Sequence, residues 1–255
     1  MRLDKYLADM GMGTRSELKK AIKAGRACVD GTVIRDPGFR VCDSSAVEFN
    51  GEAVVYEEYV YYMLNKPAGV ISASEDPHEE TVVDLIDENR RRGLFPAGRL
   101  DRDTEGLMLI TNDGELAHRL LSPRHHVDKK YYTLIQGELT AADIQSFADG
   151  VTLPDGLKCM PADIEIPDDI SGELSSSDMG SAISSDGMTG VYITIREGKF
   201  HQIKRMFGSV GCEVVYLKRL TMGPLSLDRT LRPGEYRRLT EEEIQELKCP
   251  EGPTV

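Results

Sequence analysis

Arginine and aspartate alternate in one short segment, Gly98-Arg-Leu-Asp-Arg-Asp103, which runs directly into the apolar stretch Leu107–Thr111. A polar loop at the edge of a sheet is a common place for catalytic side chains. In extended backbone, Arg99, Asp101 and Asp103 would point to the same side. A carboxylate displayed in this way can act as a nucleophile, as a base or as a stabiliser of positive charge. An Arg–Asp network that only shapes a turn is the alternative interpretation.

Two further segments combine a turn with basic residues. Asn65-Lys-Pro-Ala-Gly69 predicts a turn after a strand, because proline and glycine favour turn geometry. In Ile195-Arg-Glu-Gly-Lys-Phe-His-Gln-Ile-Lys204 a strand ends in a glycine turn and a basic helix follows. Four residues give that helix an apolar face: Ile203, Met206, Phe207 and Val210. Lys204 and Arg205 must lie at the edge of this face, either reaching a cleft or fully solvated.

Hydrophobic periodicity predicts the elements that position these side chains. The clearest strand is Val191–Arg196, in which apolar and polar residues alternate. Three other strands are expected at Val60–Leu64, Leu107–Thr111 and Lys130–Gln136. Helices are expected at Asp113–Leu121, Ala141–Ala148, Lys199–Val210 and Glu241–Leu247, with Thr140 and Thr240 as N-caps. The mixture predicts an α+β fold with a mixed, mainly antiparallel sheet and helices.

The N-terminal residues predict a small α/β domain of their own. Apolar residues at helical spacing from Leu3 to Met10 indicate one helix, and Thr14-Arg-Ser-Glu17 is a capping box that begins a second. Asp30-Gly31 between β-prone runs indicates a hairpin. Five cations lie together along the second helix and just beyond it, and we call them the basic face: Arg15, Lys19, Lys20, Lys23 and Arg26. Such a face suits contact with phosphate groups.

Composition suggests where the domains begin and end. The acidic run after Asn50-Gly51 predicts a linker at residues 51–59, between a domain at 1–50 and a larger domain at 60–249. Residues 168–190 are rich in Ser, Asp and Gly, so we expect a flexible insertion there.

Bulk properties narrow the class of protein. The net charge of −12 argues against a nucleic-acid partner, but residues 1–40 carry nine Lys/Arg against five Asp/Glu. Such charge asymmetry is typical of nucleic-acid contact. Five dispersed cysteines argue against a disulfide framework and a metal site, and the pair His125-His126 has no partner ligands nearby in sequence. No apolar stretch has the length of a membrane span or signal peptide, so we expect a cytoplasmic protein without membrane contact.

The three segments, in this order, resemble the motifs of the pseudouridine synthases. Ser122-Pro-Arg-His-His126 and Lys129-Lys-Tyr131 resemble the RsuA family in particular. Arg2-Leu-Asp-Lys-Tyr-Leu7, followed by Thr14–Glu17 and Val29-Asp-Gly31, resembles a small RNA-binding domain first known from a ribosomal protein. The resemblance covers nearly the whole chain except residues 168–190 and the extreme C-terminus.

The resemblance implies isomerisation of a uridine in ribosomal RNA, with Asp101 as the single catalytic carboxylate. It implies that four residues bind the substrate: Tyr131 as a stacking partner of uracil, Lys204 as the cation beside Asp101, Arg99 and Ile203. The basic face and Arg124 are expected to bind RNA. Ribosomal RNA is the expected partner, encountered in a small-subunit assembly particle by a monomeric enzyme. Lys204 and Phe207 favour a 16S target; a 23S target is the alternative.

One carboxylate can suffice because the detached base is itself the next nucleophile. A glycosidase needs two, one to activate water and one to protonate the leaving group. No water or redox step occurs in the isomerisation, so no cofactor or metal is expected. Two rival functions differ in class: a non-catalytic RNA-binding factor, and a retaining glycosidase that uses Asp101 with Asp103. An intact Asp101, Tyr131 and Lys204 argue against the first, and the absence of tryptophan argues against the second.

Overall fold

The computed structural model describes residues 1–87, 93–167 and 187–249. The chain divides into two compact units, one made of Met1–Val60 with Ile86–Leu94 and one made of Tyr61–Leu85 with Phe95–Val255.

The first unit contains two helices and a four-stranded antiparallel sheet. The helices are α1 (Leu3–Asp9) and α2 (Arg15–Lys23), and the strands are β1 (Ala27–Val29), β2 (Thr32–Ile34), β3 (Val47–Phe49) and β4 (Glu52–Ala53). The strand order is β2-β1-β3-β4. The expected capping box is present, since the Thr14 hydroxyl accepts from the Glu17 amide and the Glu17 carboxylate accepts from the Thr14 amide. The hairpin at Asp30-Gly31 is also confirmed.

The start of the expected linker differs from the sequence interpretation. Asn50 and Gly51 form the turn of the β3–β4 hairpin, and Val54 is buried in the core of the first unit. Asn-Gly is a strong hairpin signal, and here it outweighs the acidic character of the residues that follow. The exact domain boundaries stay a prediction.

The second unit is built on an eight-stranded mixed sheet. Its strands are β5 (Tyr61–Lys66), β6 (Phe95–Pro96), β7 (Glu105–Thr111), β8 (Lys129–Gln136), β9 (Asp163–Glu165), β10 (Met188–Ile195), β11 (Glu213–Arg219) and β14 (Tyr236–Arg238). The path is β14-β5-β7-β11-β8-β10-β9, with β6 paired to β7. Only β7 and β11 run parallel among these described pairs, at the centre of the sheet. The short strands β12 (Thr221–Met222) and β13 (Leu225–Ser226) pair separately. The predicted α+β fold with a mainly antiparallel sheet is confirmed.

Helices α3 (Gly114–Leu121), α4 (Ala141–Asp149), α5 (Gln202–Ser209) and α6 (Glu241–Lys248) match the four predicted helices. Thr140 and Thr240 cap α4 and α6 as expected. The start of α5 was predicted three residues too early, because His201 adopts a left-handed conformation (φ 47°, ψ 35°) that helical residues do not take. Strand β10 begins at Met188, so the prediction of a flexible insertion is wrong for residues 188–190. Residues 168–186 of that insertion lie outside the described residues.

Candidate active site

A cavity of about 800 Å³ opens in the second unit, between the sheet, the loop before β7 and the start of α5. Its lining includes every residue that the sequence assigned to catalysis or substrate binding: Asp101, Tyr131, Lys204, Arg99 and Ile203. Tyr131 and Ile203 are nearly buried in its wall, and Arg99 is exposed. Residues from three distant parts of the chain therefore meet at one site.

The loop that carries Asp101 is held by the segment that sequence analysis interpreted as a simple turn. Lys66 is fully buried at the end of β5, and its ammonium group donates to three backbone carbonyls. These acceptors are Pro67 (2.9 Å), Arg102 (3.2 Å) and Thr104 (2.9 Å). Burial lowers the pKa of Lys66 to about 8, although the nearby carboxylates raise it. The lysine therefore fixes the backbone on the C-terminal side of Asp101.

A second clamp acts on the N-terminal side of Asp101. The Ser72 hydroxyl donates to the Leu100 carbonyl at 2.7 Å and accepts from the Leu100 amide at 3.0 Å. On the C-terminal side, the Gly69 amide also donates to the Arg102 carbonyl. The loop is not extended as predicted, because Asp101–Thr104 forms a turn in which the Thr104 amide donates to the Asp101 carbonyl at 3.1 Å. Asp101 thus sits in a backbone fixed on both sides, which is the condition for a preorganised catalytic group.

Gly106 lets this loop join the centre of the sheet. It has φ +98° and lies directly opposite Arg219 in the parallel β7–β11 pair. A Cβ atom at this position would lie 2.3 Å from the Arg219 carbonyl oxygen. Only glycine allows the two strands to approach so closely without a shift of the backbone.

Lys204 interacts with both aspartates of the loop. Its ammonium group is 3.3 Å from the Asp101 carboxylate and 2.5 Å from that of Asp103. Partial burial works to raise the pKa of Asp103, but the hydrogen bond and charge of Lys204 hold it below its usual value. His201 Nε2 lies 3.6 Å from Asp101 on the other side, and the exposed Phe200 ring stacks on His201 at 3.8 Å. Lys204 therefore lies beside Asp101 as expected, but its closer partner is Asp103.

Two buried cations on the floor of the cavity were not predicted as site residues. Lys129 stands at the start of β8, and Arg219 ends β11, a strand that was not predicted. The apolar run Val214-Val-Tyr-Leu217 was the signal available for that strand.

The residues expected to bind RNA are exposed. The basic face lies along α2 in the first unit, where Arg26 also donates to Asn50 at 2.6 Å. Arg124 lies in a short 3₁₀ helix, Pro123–His125, and does not line the cavity. In the described part of the chain, no cluster of three or more His, Cys, Asp or Glu side chains could hold a metal ion. Over the same residues, no helix combines the length and apolarity needed to span a membrane.

Comparison with known proteins identifies what this arrangement is. Residues 60–209 match the model of the RNA pseudouridylate synthase family, and residues 1–47 match the S4 domain. The chain belongs to the RNA pseudouridylate synthase family. It is therefore an isomerase that acts on uridine in RNA, and the family predicted from the sequence motifs is confirmed.

Relatives of this synthase are similar along their whole length. An uncharacterized RNA pseudouridine synthase from Bacillus subtilis (strain 168), YtzG, is 49% identical, with 99% of this chain and 100% of the relative covered. Ribosomal small subunit pseudouridine synthase A from Escherichia coli (strain K12) is 38% identical, with 96% and 98% covered. A solved structure described as a pseudouridylate synthase is 34% identical with a TM-score of 0.64, and 97% of this chain and 99% of that one are covered.

Proposed function

We propose that this synthase isomerises one uridine of 16S ribosomal RNA, with Asp101 as its catalytic carboxylate. The observation that carries the proposal is that Asp101 is the one acidic residue among those described around the cavity. A single carboxylate suits an isomerase, whereas a retaining glycosidase needs two at short range. Asp103 lies outside this lining, is 72% exposed at its side chain and is bound to Lys204.

The other cavity residues have matching roles in this proposal. Tyr131 forms the wall against which uracil stacks, Ile203 completes the apolar contact, and Lys204 pairs with the carboxylates of Asp101 and Asp103. Arg99, exposed at the rim, contacts the RNA backbone. Because a base must leave its stack to enter such a cavity, the substrate uridine is extruded from the RNA. The basic face and Arg124 bind phosphates and position the RNA without reading its sequence.

Support for a small-subunit target comes from the relatives. The Escherichia coli protein and one from Vibrio cholerae, both 38% identical over nearly their full length, are named ribosomal small subunit pseudouridine synthase A. Phe207, which sequence analysis used for the same argument, is fully buried and packs on Phe147. Its identity therefore reflects the core rather than the target. We further propose that a monomer acts on a small-subunit assembly particle.

Pseudouridine mapping by chemical modification and reverse transcription tests the proposal. A strain without the gene should lack one pseudouridine in 16S rRNA, and the wild-type gene should restore it. Asp101→Asn should not restore it, although the variant should still bind the RNA, because the change removes the charge and keeps the size. A loss confined to 23S rRNA would overturn the target, and restoration by Asp101→Asn would overturn the catalytic assignment.

A further inference from the structure

The floor of the cavity holds two buried cations. Lys129 and Arg219 are 6% and 2% exposed. Lys129 donates to the Val127 carbonyl at 2.9 Å, and Arg219 Nε donates to the Leu107 carbonyl at 2.7 Å. Arg219 Nη2 also donates to the Met108 sulfur at 3.7 Å. Within the segments that the structure describes, neither cation forms a salt bridge.

Both cations lie on the same face of the sheet as Tyr131. Arg219 is the direct cross-strand neighbour of Tyr131 in the β11–β8 pair, and Lys129 precedes Tyr131 by two positions on β8. Direct neighbours across a pair, and residues two apart on one strand, point to the same face. The three side chains therefore form one patch, and a base stacked on Tyr131 would have both cations within its reach.

Burying two positive charges together is unfavourable unless a ligand brings negative charge. Burial, and next the charge of Arg219, lower the pKa of Lys129 to about 8, while Asp128 opposes the change. The lysine is still mainly protonated at neutral pH. The lining of the whole cavity also has an excess of positive charge. Asp101 is accompanied there by six cations: Arg99, Arg102, Lys129, Lys199, Lys204 and Arg219. This occurs in a chain whose net charge is −12.

We propose that Lys129 and Arg219 hold the uracil ring and stabilise the negative charge that it carries while it is detached from the ribose. This inference rests on the proposed function. When the bond between N1 and C1′ breaks, its electron pair stays on the base and spreads to the O2 and O4 oxygens. Bond formation between C5 and C1′, loss of the C5 proton and gain of a proton at N1 restore neutrality.

The charge on uracil exists only between these two events, so the cations favour the detached base over the bound substrate. Stabilisation of a charge that develops during reaction raises the rate, whereas equal binding before and after does not. In this scheme Asp101 acts on the ribose, and Lys129 and Arg219 act on the uracil. An RNA phosphate is the other anion that these cations could bind. A phosphate carries its charge before, during and after the reaction. Removing a cation that binds phosphate would therefore weaken RNA affinity rather than turnover.

Adjacent lysines on opposite faces of β8 provide a matched pair of variants. Lys130 lies over the Tyr192 ring and pairs with Glu165, so it faces away from the cavity. Lys129→Met should lower the single-turnover rate on rRNA from a strain without the gene by about 100-fold, the loss typical of one charge-stabilising donor. Its RNA affinity should be unchanged, and its thermal unfolding midpoint equal to wild type or higher. Lys130→Met should leave the rate and the RNA affinity unchanged.

Binding of free bases to the full-length protein gives an independent readout. 5-Nitrouracil is ionised at neutral pH and uracil is not, although their rings are similar. The wild type should prefer 5-nitrouracil, and Lys129→Met should lose that preference. Equal losses of rate and affinity would indicate a phosphate contact, and a lower unfolding midpoint would indicate a structural lysine. An unchanged rate would also overturn the inference. If base preference behaves as expected but no rRNA loses a pseudouridine in the deletion strain, the proposed function fails separately.

Discussion

Replacing Gly106 with alanine should destabilise the second unit more than replacing a glycine whose Cβ would meet open space. The added methyl carbon would lie 2.3 Å from the carbonyl oxygen and 2.8 Å from the nitrogen of Arg219. Neither neighbour is the end of a flexible side chain, so the two central strands must separate. Overpacking of this kind costs about 1–3 kcal/mol. The positive φ of +98° adds roughly 1–2 kcal/mol for a residue with a side chain.

The expected loss is therefore about 2–5 kcal/mol, a large part of the roughly 5–15 kcal/mol that stabilises a typical domain. Two control glycines separate the contributions. Gly211 has φ +80° and Gly114 has no positive φ, and neither would place a Cβ near another atom. Gly211→Ala should lose only the conformational part, and Gly114→Ala should lose nothing.

Urea unfolding followed by tyrosine fluorescence measures these differences, since the chain has ten tyrosines and no tryptophan. The Gly106→Ala protein should also turn over more slowly, because the strand that must move carries Arg219 and the adjacent loop carries Asp101. If Gly106→Ala and Gly211→Ala unfolded within about 1 kcal/mol of each other, the close approach of the strands would not be a real constraint.

Three further results are expected. Lys204→Ala should lower turnover far more than RNA affinity, because the carboxylates of the Asp101 loop lose their cation. Lys204→Arg keeps the charge and should lower turnover much less. Equal turnover in the two variants would refute a role for the charge. Neutralising the basic face should flatten the salt dependence of rRNA binding, with close to one unit of log–log slope for each lost phosphate contact; an unchanged slope would show that the first unit does not grip the RNA. Lys66 and Lys129 each have a pKa of about 8 in the folded state, against 10.5 as the ordinary value of lysine. Between these two pH values the unfolded chain binds more protons than the folded one. The free energy of unfolding should therefore rise with pH across this window, by up to roughly 3 kcal/mol per lysine. Urea unfolding at pH 7, 8.5 and 10 should then show Lys129→Met more stable than wild type at pH 7, with a difference that shrinks as pH rises; a constant difference would contradict the burial argument.

Features that depend on neighbours in sequence could be predicted from the sequence alone. Thr14, Thr140 and Thr240 cap their helices through residues only three positions away, and the hairpin at Asp30-Gly31 depends on the turn itself. The family was also evident, because its motifs are contiguous segments. The resemblance of Arg99-Leu-Asp101 to a family motif also singled out Asp101, which its charge-dense surroundings alone did not distinguish from Asp103.

What the tertiary structure decided depends on long-range contacts. Taken by itself, the segment that contains Lys66 predicts only a turn, yet the partners of Lys66 at Arg102 and Thr104 are 36 and 38 positions away. Arg219 meets Tyr131 and Gly106 only because β11 inserts between β7 and β8. Periodicity describes which face of an element is apolar, but it does not specify which strand lies beside which. The buried cations of the cavity floor, on which the proposed division between a group for the sugar and groups for the base depends, come together only when the sheet is assembled.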